Sequence, residues 1–134
     1  WFVGAALCVS LWTVSIMSSQ AELDEALLDA AVGGRLEEIR FLLDRGANIN
    51  AVGVNLCTPL HYASHNGHHQ CVELLLDRRA DINAVSYDNN TPLHYASRFG
   101  RHQCVELLID RGADKSIKDV REDGRDSLLH LLLT

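Results

Sequence analysis

The chain has 134 residues, enough for one compact domain and too few for two of ordinary size. Its 47% hydrophobic and 22% charged content is that of a globular protein, which excludes a disordered chain, and two prolines with nine glycines exclude collagen-like or proline-rich character. Eighteen acidic against twelve basic residues give a net charge of −6. Acids equal or outnumber bases in 21–57, 58–90 and 91–134 alike, so there is no basic stripe, which argues against nucleic acid as a partner. Cys8, Cys57, Cys71 and Cys104 form no CxxC pair and no tight secretory spacing, so a disulfide framework is not expected and a reducing, cytoplasmic setting is.

Residues 1–20, WFVGAALCVSLWTVSIMSSQ, carry no charge. Three readings of this apolar N-terminal segment stay open. It is the end of a truncated membrane span, although about 17 apolar residues is the lower limit for crossing a bilayer. It is a signal peptide, although no basic segment precedes the apolar stretch. Or it is non-native sequence ahead of a natural start at Met17, the only methionine. A membrane is a partner only if residues 1–17 are a span remnant, in which case the rest sits on its cytosolic face. At the other end, SLLHLLLT (127–134) is apolar enough to suggest that more chain follows.

Between these ends the chain repeats itself every 33 residues. Thr58-Pro59-Leu60-His61-Tyr62-Ala63-Ser64 returns as Thr91-Pro92-Leu93-His94-Tyr95-Ala96-Ser97. Over 24 aligned positions only five differ: His65/Arg98, Asn66/Phe99, His68/Arg101, Leu76/Ile109 and Arg79/Gly112. A weaker copy precedes them, with Ala30, Gly34, Ile39, Leu42 and Ala47 under Ala63, Gly67, Val72, Leu75 and Ala80. The units run roughly 25–57, 58–90 and 91–123, followed by a partial, irregular fourth at 124–134.

Each unit reads as two short helices and a turn. Thr58 and Thr91 are N-cap residues with Pro59 and Pro92 at the first helical position, where a missing N–H costs nothing. Gly34, Gly67 and Gly100 supply the left-handed stop after the first helix. The second helix carries apolar residues at i, i+3 and i+4: Ile39/Leu42/Leu43, Val72/Leu75/Leu76 and Val105/Leu108/Ile109. One such pair cannot bury its apolar face alone, so stacked copies, a solenoid, are predicted. Arg79 stands where glycine is expected after the second helix, a weak point of the stack.

TPLHYA twice at this period, with V-E-L-L and A-D after it, resembles the ankyrin repeat family over about residues 23–134. The resemblance implies an all-α ankyrin-repeat solenoid of helix-turn-helix units with hairpin loops over 21–134. It also implies a monomeric, non-catalytic module that binds a protein or peptide on its concave face. A membrane-tethered version and a regulatory region of a larger enzyme are the alternatives. In ankyrin-like proteins the hairpin tips and first-helix ends line that face. By position it would include Val54, Asn55, Cys57, His65 and Asn66, then Tyr87, Asp88, Asn90, Arg98 and Phe99. Tyr87, Arg98 and Phe99 would form an aromatic–arginine cluster of the kind that dominates interfaces. Asn83, two after Asp81 and eight after Leu75, is the better placed of the two loop asparagines for the hydroxylation some ankyrin-like proteins undergo.

Other chemistry finds little support. His61, His65, His68 and His69 with Cys71 have the residue types of a zinc site, but His61, His69 and Cys71 recur in the next unit and are explained by the repeat. His61 and His94 are the motif histidine, which in the family bonds within the loop and first helix. Cys71 and Cys104 lie at equivalent positions of units stacked about 10 Å apart, beyond disulfide reach. There is no GxSxG, HExxH, GxxxxGK[ST] or GxGxxG motif, so neither an enzyme nor a bound cofactor is expected.

Overall fold

Threonine–proline starts and glycine stops divide the chain into three helix pairs. The computed structural model describes residues 19–117, and the expectations for the apolar segment at 1–18 and for residues 118–134, the fourth unit included, lie outside them. The pairs are α1 (Gln20–Gly33) with α2 (Leu36–Asp44), α3 (Pro59–Asn66) with α4 (His69–Asp77), and α5 (Pro92–Arg98) with α6 (His102–Asp110). A single 3-10 turn spans Val54–Leu56, and there is no strand among the described residues.

The caps form as the residue types require. The Thr58 hydroxyl accepts the His61 N–H at 3.4 Å, and His61 Nδ1 accepts the Thr58 N–H at 3.0 Å. Thr91 and His94 repeat this reciprocal box at 3.3 and 3.1 Å. α3 stops at Gly67 with φ 76°, where a Cβ would also meet Arg101 Cδ at 2.8 Å. α1 departs from its twins: it begins at Gln20, ahead of the unit start expected near 25. No proline sets its start, so the helix runs back a further turn, which buries Leu23 and lets Asp24 accept the Asn48 N–H at 2.7 Å.

The core is one column built from equivalent positions. Leu27, Leu60 and Leu93 on the first helices are fully buried, as are Ala30, Ala63 and Ala96. Ile39, Val72 and Val105 with Leu42, Leu75 and Leu108 supply the facing layer from the second helices. Each buried leucine stabilises by about 2 kcal/mol, and most of that needs the neighbouring unit. Cys71 and Cys104 are buried in this layer as thiols, and burial pushes the Cys104 thiol up to about 11.

Polar ties cross from unit to unit in parallel rows. Asn50 Oδ1 accepts the Asp81 N–H at 2.9 Å, and Asn83 Oδ1 accepts the Asp114 N–H at 2.8 Å. Arg78 pairs with Asp44 at 2.9 Å and Arg111 with Asp77 at 2.8 Å. The Val32 carbonyl accepts from Asn66 Nδ2 and His68 Nε2, and the His65 carbonyl from Arg101 Nε. The His68/Arg101 difference therefore serves stacking, since each side chain closes the preceding first helix.

Arg79 does adopt the left-handed conformation, at φ 67°, where Gly46 and Gly112 stand in the flanking units at 96° and 89°. Arg79→Gly should raise the melting temperature by a few degrees, relieving a strain of about 1 kcal/mol less the glycine's own unfolded-state entropy. Thermal unfolding followed by circular dichroism checks this, and a lower melting point would contradict it.

His61 predicts a second effect. Its Nδ1 accepts from Thr58, so Nε2 carries the proton and donates to the Asn90 carbonyl at 2.8 Å. Burial lowers its pKa from 6.5 to about 4. The folded state thus holds fewer protons than the unfolded state between these values. Stability contributed by the neutral ring is complete above about pH 6.5 and is lost as pH falls toward 4, by roughly 3 kcal/mol. Urea unfolding of the protein and of His61→Gln across pH 7 to 4 should show the variant weaker at pH 7 with a shallower acid slope. Equal slopes would contradict the assignment.

Candidate functional site

Two hairpins project from the helix pairs. Gly53 N–H to the Cys57 carbonyl closes the first at 2.9 Å, and Ser86 N–H to the Asn90 carbonyl closes the second at 2.9 Å. The first tip turns through Asn55 and Leu56 at φ 58° and 59°. Its Asn55 carbonyl accepts the Tyr87 N–H at 2.8 Å, so the two tips are joined. Val52 and Val54 of one tip align with Val85 and Tyr87 of the next, and all four are exposed, Val54 by 76% and Tyr87 by 77%.

Hairpins and first helices enclose a concave trough. Its wider part, about 1090 Å³, lies between α1 and residues 48–54. A second hollow of about 360 Å³ continues it between the tip at Val54–Asn55 and the ends of α1, α3 and α5. Val32, Val54 and Tyr62 line both. The floor of the second hollow is aromatic: the Tyr95 ring meets His61 edge-on at 5.5 Å and His65 at 6.0 Å, and His65 meets Phe99 at 4.1 Å. The Tyr62 hydroxyl donates to the Val54 carbonyl at 3.3 Å, which ties the tip to α3. Burial raises the pKa of Tyr62, Tyr95 and Cys57 alike, so this wall is neutral.

Five of the residues expected from the sequence, Val54, Asn55, Cys57, His65 and Asn66, line this second hollow. Tyr87 and Asp88 stand at the next tip, and Arg98 and Phe99 at the end of α5. Two expectations need correction. Asn90 is only 1% exposed: its carbonyl accepts from His61 and its Oδ1 from Arg98 Nη2 at 3.4 Å, so it is a stacking residue and not a surface one. Cys57 is 7% exposed, its Sγ set 3.5 Å from the Tyr95 hydroxyl, and offers a partner little area. Phe99 packs on His65 of the preceding unit, and Tyr87 stands at the tip with its N–H on the Asn55 carbonyl.

The remaining histidines are placed by the repeat: His68 donates to the Val32 carbonyl, and His69 opens α4 in solvent. Among the described residues no group of three His, Cys, Asp or Glu side chains converges as metal ligands would. Comparison of the twin units misses Tyr62 and Tyr95 because they are identical in both. It misses Val32, Glu22 and Glu25 because they belong to the divergent first unit. Laying 25–33 under 58–66 would have placed Val32 at the position of His65.

Three stacked helix pairs with projecting hairpins define a helical repeat protein. A family model for ankyrin repeats, in three copies, matches residues 27–119, and the chain belongs to the ankyrin repeat family. Such repeats are generally protein–protein interaction modules, on a fold that is typically non-catalytic. No curated protein matches the sequence.

Asn83 is half-buried with its Oδ1 committed to Asp114 N–H, while Asp81 Oδ1 accepts the Asn83 N–H at 3.1 Å. Its side chain is a tie between units. Asn83→Ala should lower stability by about 1 kcal/mol and leave partner capture unchanged. Chemical unfolding beside a binding assay checks both parts, and an unaltered midpoint would contradict the tie.

Proposed function

We propose that this chain is a monomeric, non-catalytic binding module that grips a folded protein or peptide with its concave trough and hairpin tips. A cytoplasmic setting, expected from the cysteines, belongs to the same proposal. The observation that carries it is the row of exposed large apolar side chains at the hairpins and first-helix ends, with Phe41 on α2 the one such side chain elsewhere among the described residues. Val52, Val54, Leu56, Val85, Tyr87 and Phe99 stand 42–77% exposed while the leucines of the column behind them are wholly buried. An apolar edge of this kind marks an interaction surface in a soluble protein.

Rigidity supports the same reading. The tips are held by the Asn55–Tyr87 bond, by Tyr62 to Val54, and by the asparagine row below them. A partner meets side chains already in place, so little ordering entropy opposes binding.

The test is affinity capture from cell lysate with the whole chain beside a Val54→Ser, Tyr87→Ala, Phe99→Ala variant. Circular dichroism confirms that the variant is folded, since all three side chains are exposed. Proteins held by the wild type and lost from the variant are the expected result. An identical set from both would overturn the concave-face assignment.

A further inference from the structure

We infer that the trough beside α1 receives an extended, cationic segment of a partner protein, with an apolar side chain seated further along in the aromatic hollow. The inference rests on the concave-face reading and adds the chemistry of what is bound.

The trough is charged on one wall only. Glu22, Asp24, Glu25 and Asp29 line it from α1, and no lysine or arginine lines it. The facing hairpin wall, Asn48 to Val54, is uncharged. Two of the four carboxylates are already engaged: Asp24 accepts from Asn48 N–H and Gln20, and Asp29 pairs with Arg35 at 2.8 Å. Glu22 and Glu25, one helical turn apart, form no hydrogen bond or ion pair among the described residues. Their charges are uncompensated by the fold and complement a lysine or arginine side chain. They repel phosphate, which disfavours a nucleic acid or an anionic lipid surface.

Shape selects an extended chain. The trough is open and, at about 1090 Å³, larger than an ordinary small-molecule pocket. Val32, Val54 and Tyr62 line both it and the hollow floored by Tyr95, so the two adjoin. From Glu25 to Val32 the helix rises roughly 10 Å, the span of about three residues of extended chain. The bound segment therefore carries its basic residues about three positions from an aliphatic or aromatic one.

Random twelve-residue peptides displayed on phage and selected against the whole chain test this. The expected outcome is enrichment of lysine or arginine with an apolar residue about three positions away. A synthetic copy of the leading peptide should bind about tenfold more weakly to Glu22→Gln, Glu25→Gln, and more weakly to the wild type as salt rises. Both side chains are exposed, so that variant keeps its fold. Selected peptides that are acidic or neutral, or no selected peptide, would overturn the inference. Binding unchanged in the glutamine variant but lost in Val54→Ser, Phe99→Ala would also overturn it while leaving the concave-face reading standing. Binding unchanged in both variants would overturn the two together. A concentration-dependent dimer dissolved by the glutamine substitutions would make the occupant a second copy, contrary to the inference.

Discussion

A helical stack with long hairpins must find partners for orphan helix N–H groups and for hairpin carbonyls to which no neighbouring strand donates. His61 answers this. Its Nδ1 takes the orphan N–H of Thr58 at the start of α3, and its Nε2 donates to the Asn90 carbonyl of the next hairpin, a residue almost wholly buried. One ring thus closes a helix and fastens the neighbouring unit to it. Without the ring the buried Thr58 N–H loses its partner, at a cost of about 1–3 kcal/mol, and the Asn90 carbonyl keeps only the Ser86 N–H of its own hairpin. Only a neutral imidazole can accept on one side and donate on the other, so the burial that depresses its pKa also maintains the bonding pattern.

The other ties between units differ in weight. The Arg78–Asp44 and Arg111–Asp77 pairs lie on side chains 38–59% exposed, where an ion pair is worth about 0–1 kcal/mol. The asparagine row joins backbone N–H groups at half-buried or exposed positions and contributes modestly. Leucine burial and the histidine tie therefore carry most of the stacking free energy, while the outer rows hold register. Each term joins a unit only to its neighbour, so a strained site such as Arg79 weakens the column locally.

The helix starts, stops and core column were legible in the sequence because each depends on local chemistry repeated at a fixed spacing. Threonine before proline, glycine after the helix and leucine at i+3 mean the same thing in every copy. The binding face was only partly legible. Differences between twin units point to Val54, His65, Asn66 and Phe99, which do lie along the trough or its end. The same comparison also selects Asn90, whose turn neighbours vary although its own carbonyl is held inside the stack. Variation shows where stacking leaves latitude. It does not show which variable residues are drawn inward by a hydrogen bond, and it cannot find Tyr62 and Tyr95, which are identical in both copies yet face the hollow.

The first unit departs from the repeat in a way that bears on the trough. Glu25 stands where Thr58 and Thr91 cap their helices, so α1 has no threonine–proline start and continues back to Gln20. The extra turn needs polar residues on its outer side, and Glu22 and Glu25 supply them within the lining of the trough. The middle and third units, bound to the threonine–histidine box, have no such latitude at those positions. Their variation falls instead at the ends of the first helices, where His65 joins the aromatic floor and Phe99 packs against it. Charge at one end of the concave side and aromatic surface at the other thus follow from which positions each unit must reserve for stacking.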